Sequence, residues 1–134
     1  MNNYGKNMPS KELTLRTQAM PADTNPAGDI FGGWVMSQMD IAAGIRGSEL
    51  TLGRVVTAGV GKLNFERPIR VGDTICVYTE AERIGRSSIT LHVDCMVKRQ
   101  FSGQRERAVV AEFTMVALDE HGKPRAHSLR EDQT

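Results

Sequence analysis

The chain has 134 residues, 40% of them hydrophobic and 25% charged, which suits one globular domain with a real core and calls for no second domain. Its 17 basic and 16 acidic residues leave a formal net charge of +1, excluding blanket electrostatic attraction to nucleic acid or an anionic membrane. Any polyanionic ligand has to be met locally.

The first residues, MNNYGKNMPSKE, are polar and lack the apolar run of a signal peptide. No stretch approaches the ~20 apolar residues of a membrane span, so a cytoplasmic protein is expected. Residues 1–12 read as a flexible N-terminal arm and 127–134 as a flexible C-terminal tail, leaving 13–126 as a single domain. Residues 13–19 alternate as a short strand, and 20–29, MPADTNPAGD, are dense in residues that break regular structure.

In residues 30–47, Phe31, Trp34, Val35, Met36, Met39, Ile41, Ala42, Ala43 and Ile45 spread round every side of a helical wheel. Such a helix is expected to be buried nearly all round. Strand-like runs follow at 55–65, 74–83, 88–98 and 105–118, with period-two alternation clearest in Ile89, Leu91, Val93, Cys95 and Val97. The connections at 67–73 and 84–87 are too short for crossover helices, so a doubly wound fold is excluded. The expected class is α+β, an antiparallel sheet wrapped round one long central helix.

Asp40 is the one ionisable group within 31–45. Burying an unpaired carboxylate is costly, so Asp40 is either paired with a cation or backbone donor or else functional. Ser37, one turn back, shares its face. Gly32-Gly33 opens the helix, where free backbone N–H groups and the positive end of the helix dipole suit an anion or a developing oxyanion; two glycines also ease close packing. Asn25, in the loop before, is either a turn former or an amide presented to a ligand.

Arg86, Ser87 and Ser88 form either an ordinary hairpin turn or a phosphate contact, and Lys123 and Arg125 add a second small basic cluster. His92, His121 and His127 lack metal-ligand spacing, so no metal site is expected. Cys76 and Cys95 lie in different strand-like runs and read as two reduced thiols packed as small apolar groups. No dinucleotide fingerprint or Walker loop is present.

The string AMPADTNPAGDIFGGWVMSQMDIAAG, residues 19–44, resembles the hotdog-fold acyl-CoA thioesterases, and more closely the bacterial hydrolases of the YciA type. Loop, helix start and acid arrive together at fixed spacing. The resemblance continues through Arg54-Val55-Val56-Thr57, Asn64-Phe65, Pro68-Ile69, Val71-Gly72-Asp73, Gly85-Arg86-Ser87-Ser88-Ile89 and Gly122-Lys123-Pro124-Arg125, covering roughly residues 13–126. It implies a hotdog fold, a dimer at least and a hexamer built as a trimer of dimers. It also implies hydrolysis of acyl-CoA with no cofactor, coenzyme A being part of the substrate.

By position the resemblance makes Asp40 the catalytic acid, as general base or nucleophile, with the Gly33 N–H in the oxyanion hole and Asn25 in the loop beside it. Gly32, Ser37, Thr57, Arg86, Ser87, Ser88, Lys123 and Arg125 become substrate or coenzyme A contacts. The pocket would lie at a subunit interface. The chain departs from many relatives at Gly59 and Gly61-Lys62, where bulkier residues and often an acid stand, which bears on acyl preference and on the regularity of that strand. The competing functions are a non-catalytic acyl-CoA-binding module and a hotdog dehydratase; a dehydratase places a His beside the acid, and no His lies in 13–65.

Overall fold

The computed structural model describes residues 10–129. Strand β1 (Glu12–Gln18) is followed by a short 3-10 turn (Pro21–Asp23), helix α1 (Gly32–Thr51), and strands β2 (Val55–Phe65), β3 (Thr74–Ile84), β4 (Ser88–Lys98) and β5 (Arg105–Ala117). The strands form one antiparallel sheet in the order β1-β3-β4-β5-β2, with α1 packed against all five. Alternation explains the geometry. Ile89, Leu91, Val93, Cys95 and Val97 are fully buried beneath the helix, while their neighbours His92 and Met96 stand on the other face. Phe113 and Met115 of β5 continue the same core.

Helix α1 starts two residues later than expected and runs one turn further. Ile30 is held outside it, donating its N–H to Ile69 O at 3.0 Å, and Phe31 is the extended N-cap. Gly47 is a packing residue rather than a stop, because a Cβ there would sit 3.3 Å from Val55. The stop is Leu52, in the left-handed region at φ 59.

The helix is also not buried all round. Val35, Met39, Ala42, Ala43, Arg46, Gly47, Leu50 and Thr51 are buried, but Phe31, Ile41 and Ile45 are exposed at 42%, 49% and 42%, and Gly33, Ser37 and Asp40 share that open side. Among the described residues nothing covers this second apolar face.

The buried charge of the helix is therefore Arg46 rather than Asp40. Its guanidinium reaches Glu12 Oε2 at 2.7 Å, and donates to Ser10 O at 2.9 Å and Thr79 O at 3.3 Å. Such a cation cannot stay buried without those acceptors, which is why the domain begins before residue 13. At the other end His127 N–H donates to Arg86 O at 3.0 Å and Leu129 packs against the core, so the domain also passes residue 126. The rest of the expected arm and tail, 1–9 and 130–134, lies outside the described residues.

Strand β2 forms one edge of the sheet and is irregular. Its register with β5 shifts between Thr57 and Gly59 and again between Gly61 and Asn64, and Lys62 takes φ 50 within the second bulge. Gly59 and Gly61 face open space.

Cys76 and Cys95 are free, buried and separate; burial, the largest effect, pushes the Cys95 thiol up to about 12, so it packs as an inert apolar group. The outer face of the sheet carries paired charges. Asp94 binds Lys11 at 2.9 Å and His92 at 3.0 Å, and Arg107 makes two bonds to Glu66, at 2.9 and 2.8 Å. Burial pushes Asp94 up, but the Lys11 hydrogen bond and the neighbouring His92 outweigh it and hold the acid below its ordinary value.

Candidate active site

Asp40 projects from the middle of α1 on its exposed side, and Thr57 Oγ1, from β2, donates to its Oδ1 at 2.5 Å. Thr57, expected as a substrate contact, thus orients the acid. Its register partner is Met115, a core residue, so alternation turns the hydroxyl towards the helix. Ser37 shares the face of Asp40 but donates its proton to Trp34 O at 2.7 Å, leaving only acceptor capacity towards a ligand.

At the helix start the N–H groups of Gly32 and Gly33 have no hydrogen-bond partner among the described residues, whereas those of Trp34 and Val35 already reach Phe31 O. Both glycines are needed sterically. A Cβ on Gly32 would lie 3.1 Å from the Phe65 ring, and one on Gly33 3.3 Å from the Phe31 ring. These two N–H groups, at the positive end of the helix, are the natural oxyanion donors.

Asn25 builds the loop that leads there. Its Oδ1 accepts from Ala27 N–H at 2.9 Å and Asp29 N–H at 3.1 Å, so its carbonyl is committed to the turn and only its –NH2 is available to a ligand.

Gly33 and Asp40 lie seven residues apart on one helix, about 10 Å along its axis. A base has to come within hydrogen-bond reach of its proton, so the donor and the acid of a single chain do not meet at one carbonyl.

The remaining expected contacts gather at the far end of α1. Arg86 is exposed in the β3–β4 turn, Ser87 follows it there, with Ser87 O accepting from Ala117 N–H at 2.8 Å, and Ser88 opens β4. His127 joins them with Nε2 at 2.8 Å from Ser88 O, while its buried Nδ1 has no partner among the described residues. Lys123 is exposed in the 119–124 turn, and neither Lys123 nor Arg86 makes an ion pair among the described residues.

Arg125 differs from expectation. It donates Nη2 to Thr51 O at 2.8 Å and Nε to Leu118 O at 3.1 Å, satisfying a carbonyl at the end of α1, and is thus a structural cap more than a phosphate contact.

A cavity of about 230 Å³ opens beside the helix start, lined by Ile30, Gly32, Val35, Phe65, Ile69 and Val109 with Glu66, Arg67 and Pro68 around it. Its signal in the sequence is faint: one aromatic, Phe65, closing a strand that is otherwise aliphatic, polar or glycine.

The family model of the thioesterase superfamily matches residues 27–100, from the loop through α1 to the end of β4. The acyl-CoA thioester hydrolase YciA of Escherichia coli strain K12 is 50% identical over 123 residues, 90% of this chain and 93% of that protein. The crystal structure of the hexameric thioesterase y2039 from Yersinia pestis superimposes with a TM-score of 0.86 at 52% identity, covering 91% of this chain and 99% of that one. That of HI0827, a hexameric broad-specificity acyl-coenzyme A thioesterase, gives a TM-score of 0.82 at 48% identity, over 90% of this chain and 83% of that one. With these matches in sequence and fold, the chain belongs to the thioesterase superfamily and has its hotdog fold.

Proposed function

We propose that the chain hydrolyses acyl-CoA to a free carboxylic acid and coenzyme A, using two active sites shared across each dimer. The observation that carries this reading is the exposed Asp40 carboxylate in the middle of α1, held by Thr57 and on the same face as the Gly32 and Gly33 N–H groups, which have no partner among the described residues. Hydrolysis needs a base for water and donors for the oxyanion, and these residues supply both. The names of the relatives support acyl-CoA as the substrate class.

The ~10 Å between Gly33 and Asp40 along one helix supports a site in which one subunit supplies the N–H donors and its partner supplies Asp40 and Thr57. Ile41 and Ile45, exposed beside Asp40, give the apolar contact such a dimer needs, and the open edge of β2 gives it a strand to pair. The hexameric relatives support assembly of three such dimers. Arg86, Ser87, Ser88 and Lys123 then hold the phosphates of coenzyme A. Water is the only co-reactant and no cofactor is called for. No helix among the described residues is long and apolar enough to cross a membrane, and the proposed location is the cytoplasm.

The carboxylate acts as general base on water, polarised by the Thr57 hydroxyl at its second oxygen. As the tetrahedral intermediate forms, its oxyanion accepts a hydrogen bond from the Gly33 N–H; as it collapses, the C–S bond breaks and the coenzyme A thiolate leaves with the proton that Asp40 drew from water. A binding module without activity has no use for a carboxylate oriented in this way, and His92, bonded to Asp94 on the outer face, is not placed to assist a dehydration at Asp40.

The test is release of free thiol from a panel of acyl-CoAs by the purified oligomer. Turnover well above the uncatalysed rate supports the proposal; binding of acyl-CoA with no thiol release sinks it in favour of the binding module.

A further inference from the structure

We propose that His127 is a positioning residue for the nucleotide end of coenzyme A. From the C-terminal segment it fixes the backbone of 86–88, where β3 turns into β4, in the form that presents donors to phosphate. The proposal rests on the reading that Arg86, Ser87 and Ser88 hold those phosphates, and adds the residue that holds the turn itself.

The backbone of this turn is committed carbonyl by carbonyl. Arg86 O accepts from His127 N–H at 3.0 Å, Ser87 O from Ala117 N–H at 2.8 Å, and Ser88 O from both Gly85 N–H at 2.9 Å and His127 Nε2 at 2.8 Å. Two of these four bonds come from one residue. With its carbonyls occupied, the turn offers a ligand the Arg86 guanidinium and the two serine hydroxyls, the donor set that an anion requires. A turn free to rotate its carbonyls outward would set their lone pairs against the phosphate oxygens.

The ring itself points the same way. Ser88 O can only accept, so Nε2 carries the proton, and in the neutral ring Nδ1 is the bare nitrogen. Nδ1 is buried and has no partner among the described residues. A Phe ring would fill the space without burying that orphan acceptor, which is costly to leave unbonded. What the imidazole adds is therefore the Nε2 donor to Ser88 O.

His127 can serve as a fixed post because its segment is anchored on both sides. Before it, Arg125 N–H donates to Ala117 O at 2.9 Å and the Arg125 guanidinium to Thr51 O at 2.8 Å; after it, Leu129 packs against the core. The turn is thereby tied to β5 and to the end of α1 through a segment that follows the last strand.

The test compares two thioesters, butyryl-CoA and S-butyryl-N-acetylcysteamine, which lacks the nucleotide. The intact oligomer is used as wild type, Arg86→Ala, His127→Phe, His127→Gln and the Arg86→Ala/His127→Phe double variant, each verified by light scattering. Calorimetry measures binding of adenosine 3′,5′-bisphosphate, the nucleotide part of coenzyme A. His127→Phe keeps a ring and loses the donor, and His127→Gln places an amide N–H at the same reach. If the Phe ring disturbs assembly, His127→Asn, whose amide stops short of Ser88 O, carries the same expectation.

His127→Phe is expected to raise KM for butyryl-CoA and weaken the bisphosphate about 3- to 10-fold, with kcat within about 2-fold and the short thioester unchanged. His127→Gln recovers most of the loss. Because His127 acts through the turn, the double variant falls short of the product of the two single effects. Equal losses on both thioesters, or full additivity, give His127 a purely structural role and overturn the proposal. Wild-type KM in His127→Phe, where Arg86→Ala raises it, also overturns the proposal but leaves the phosphate reading of the turn standing. An Arg86→Ala protein that binds the bisphosphate as the wild type does overturns that reading, and the proposal with it.

Discussion

Thr57 Oγ1 donates to Asp40 Oδ1 at 2.5 Å, joining the edge strand β2 to the middle of α1. One oxygen of the carboxylate is thereby committed to the protein and the other is left free to face solvent. A base oriented at one oxygen presents the other in a fixed direction, which is the arrangement that activation of a single water requires.

Replacing Asp40 by Asn keeps the side-chain shape and an oxygen for Thr57 to donate to, but removes the base. The expected outcome is an intact oligomer by light scattering with kcat lowered by ~10² or more. Near wild-type turnover in the folded variant would remove Asp40 from the mechanism.

Thr57→Val removes only the donor. The acid remains but its orientation is lost, so kcat is expected to fall by ~3- to 30-fold with KM little changed, and Thr57→Ser, which restores the hydroxyl, is expected to recover most of it. A purely structural Thr57 would show the same kcat in Thr57→Val and Thr57→Ser once both are folded.

How much of this was legible in the sequence divides along physical lines. The alternation of β4 announces a buried face directly, and the short connections exclude parallel strands. The apolar wheel of 30–47 was legible too, but it carries the sum of two coverings: the sheet takes Val35, Met39 and Leu50, while Ile41 and Ile45 are left over. One chain's sequence does not separate those contributions. Arg46 falls on the core stripe and could have been found by extending the wheel one residue beyond Ile45. The role of Arg125 could not, because its acceptor Thr51 O lies 74 residues away and is a backbone atom. The cavity at Phe65 likewise depends on where the end of β2 meets the helix start, a tertiary fact with no local signature.

Arg86 offers an exposed guanidinium with no ion pair among the described residues. Its replacement by Ala is expected to raise KM for acyl-CoA about 3- to 10-fold while leaving hydrolysis of a truncated thioester without the nucleotide unchanged, because a phosphate contact is felt only when the phosphate is present. Equal losses on both substrates would place Arg86 elsewhere.

Asp73 links three segments. Its carboxylate accepts from Arg70 N–H at 3.0 Å, Gln100 N–H at 2.9 Å and Arg99 Nη1 at 2.8 Å. Burial pushes its pKa up, but these donors outweigh it and hold the acid below its ordinary value. A carboxyl depressed in the folded state stabilises the fold above its unfolded pKa of about 3.9, and that contribution fades as the pH falls through the folded value. Arg99→Gln is therefore expected to cost about 2 kcal/mol in urea unfolding at pH 7, with the gap to wild type narrowing as the pH falls below the unfolded value. A gap of constant size across that range would rule out the linkage.

The last prediction concerns assembly. Ile41 and Ile45, 49% and 42% exposed, stand one turn apart on α1, with Asp40 beside Ile41, and Val56, Val60 and Phe65 of the edge strand β2 are 46%, 42% and 49% exposed. So large an apolar surface on a small domain marks an interface. If a partner helix covers it, a charge placed there costs both the apolar contact and the desolvation of the new group. Ile41→Lys and Ile45→Lys are thus expected to weaken the dimer strongly while leaving the fold of each chain intact, since neither side chain belongs to the chain's own core. Activity should fall with the fraction of dimer, because the Gly33 N–H and Asp40 of one chain are ~10 Å apart along the helix and need a second chain to complete the site. Sedimentation over a range of protein concentrations, run beside the thiol-release assay, measures both quantities at once. A monomeric Ile45→Lys variant with full activity would refute the shared site, and an undisturbed oligomer would place the interface on another face.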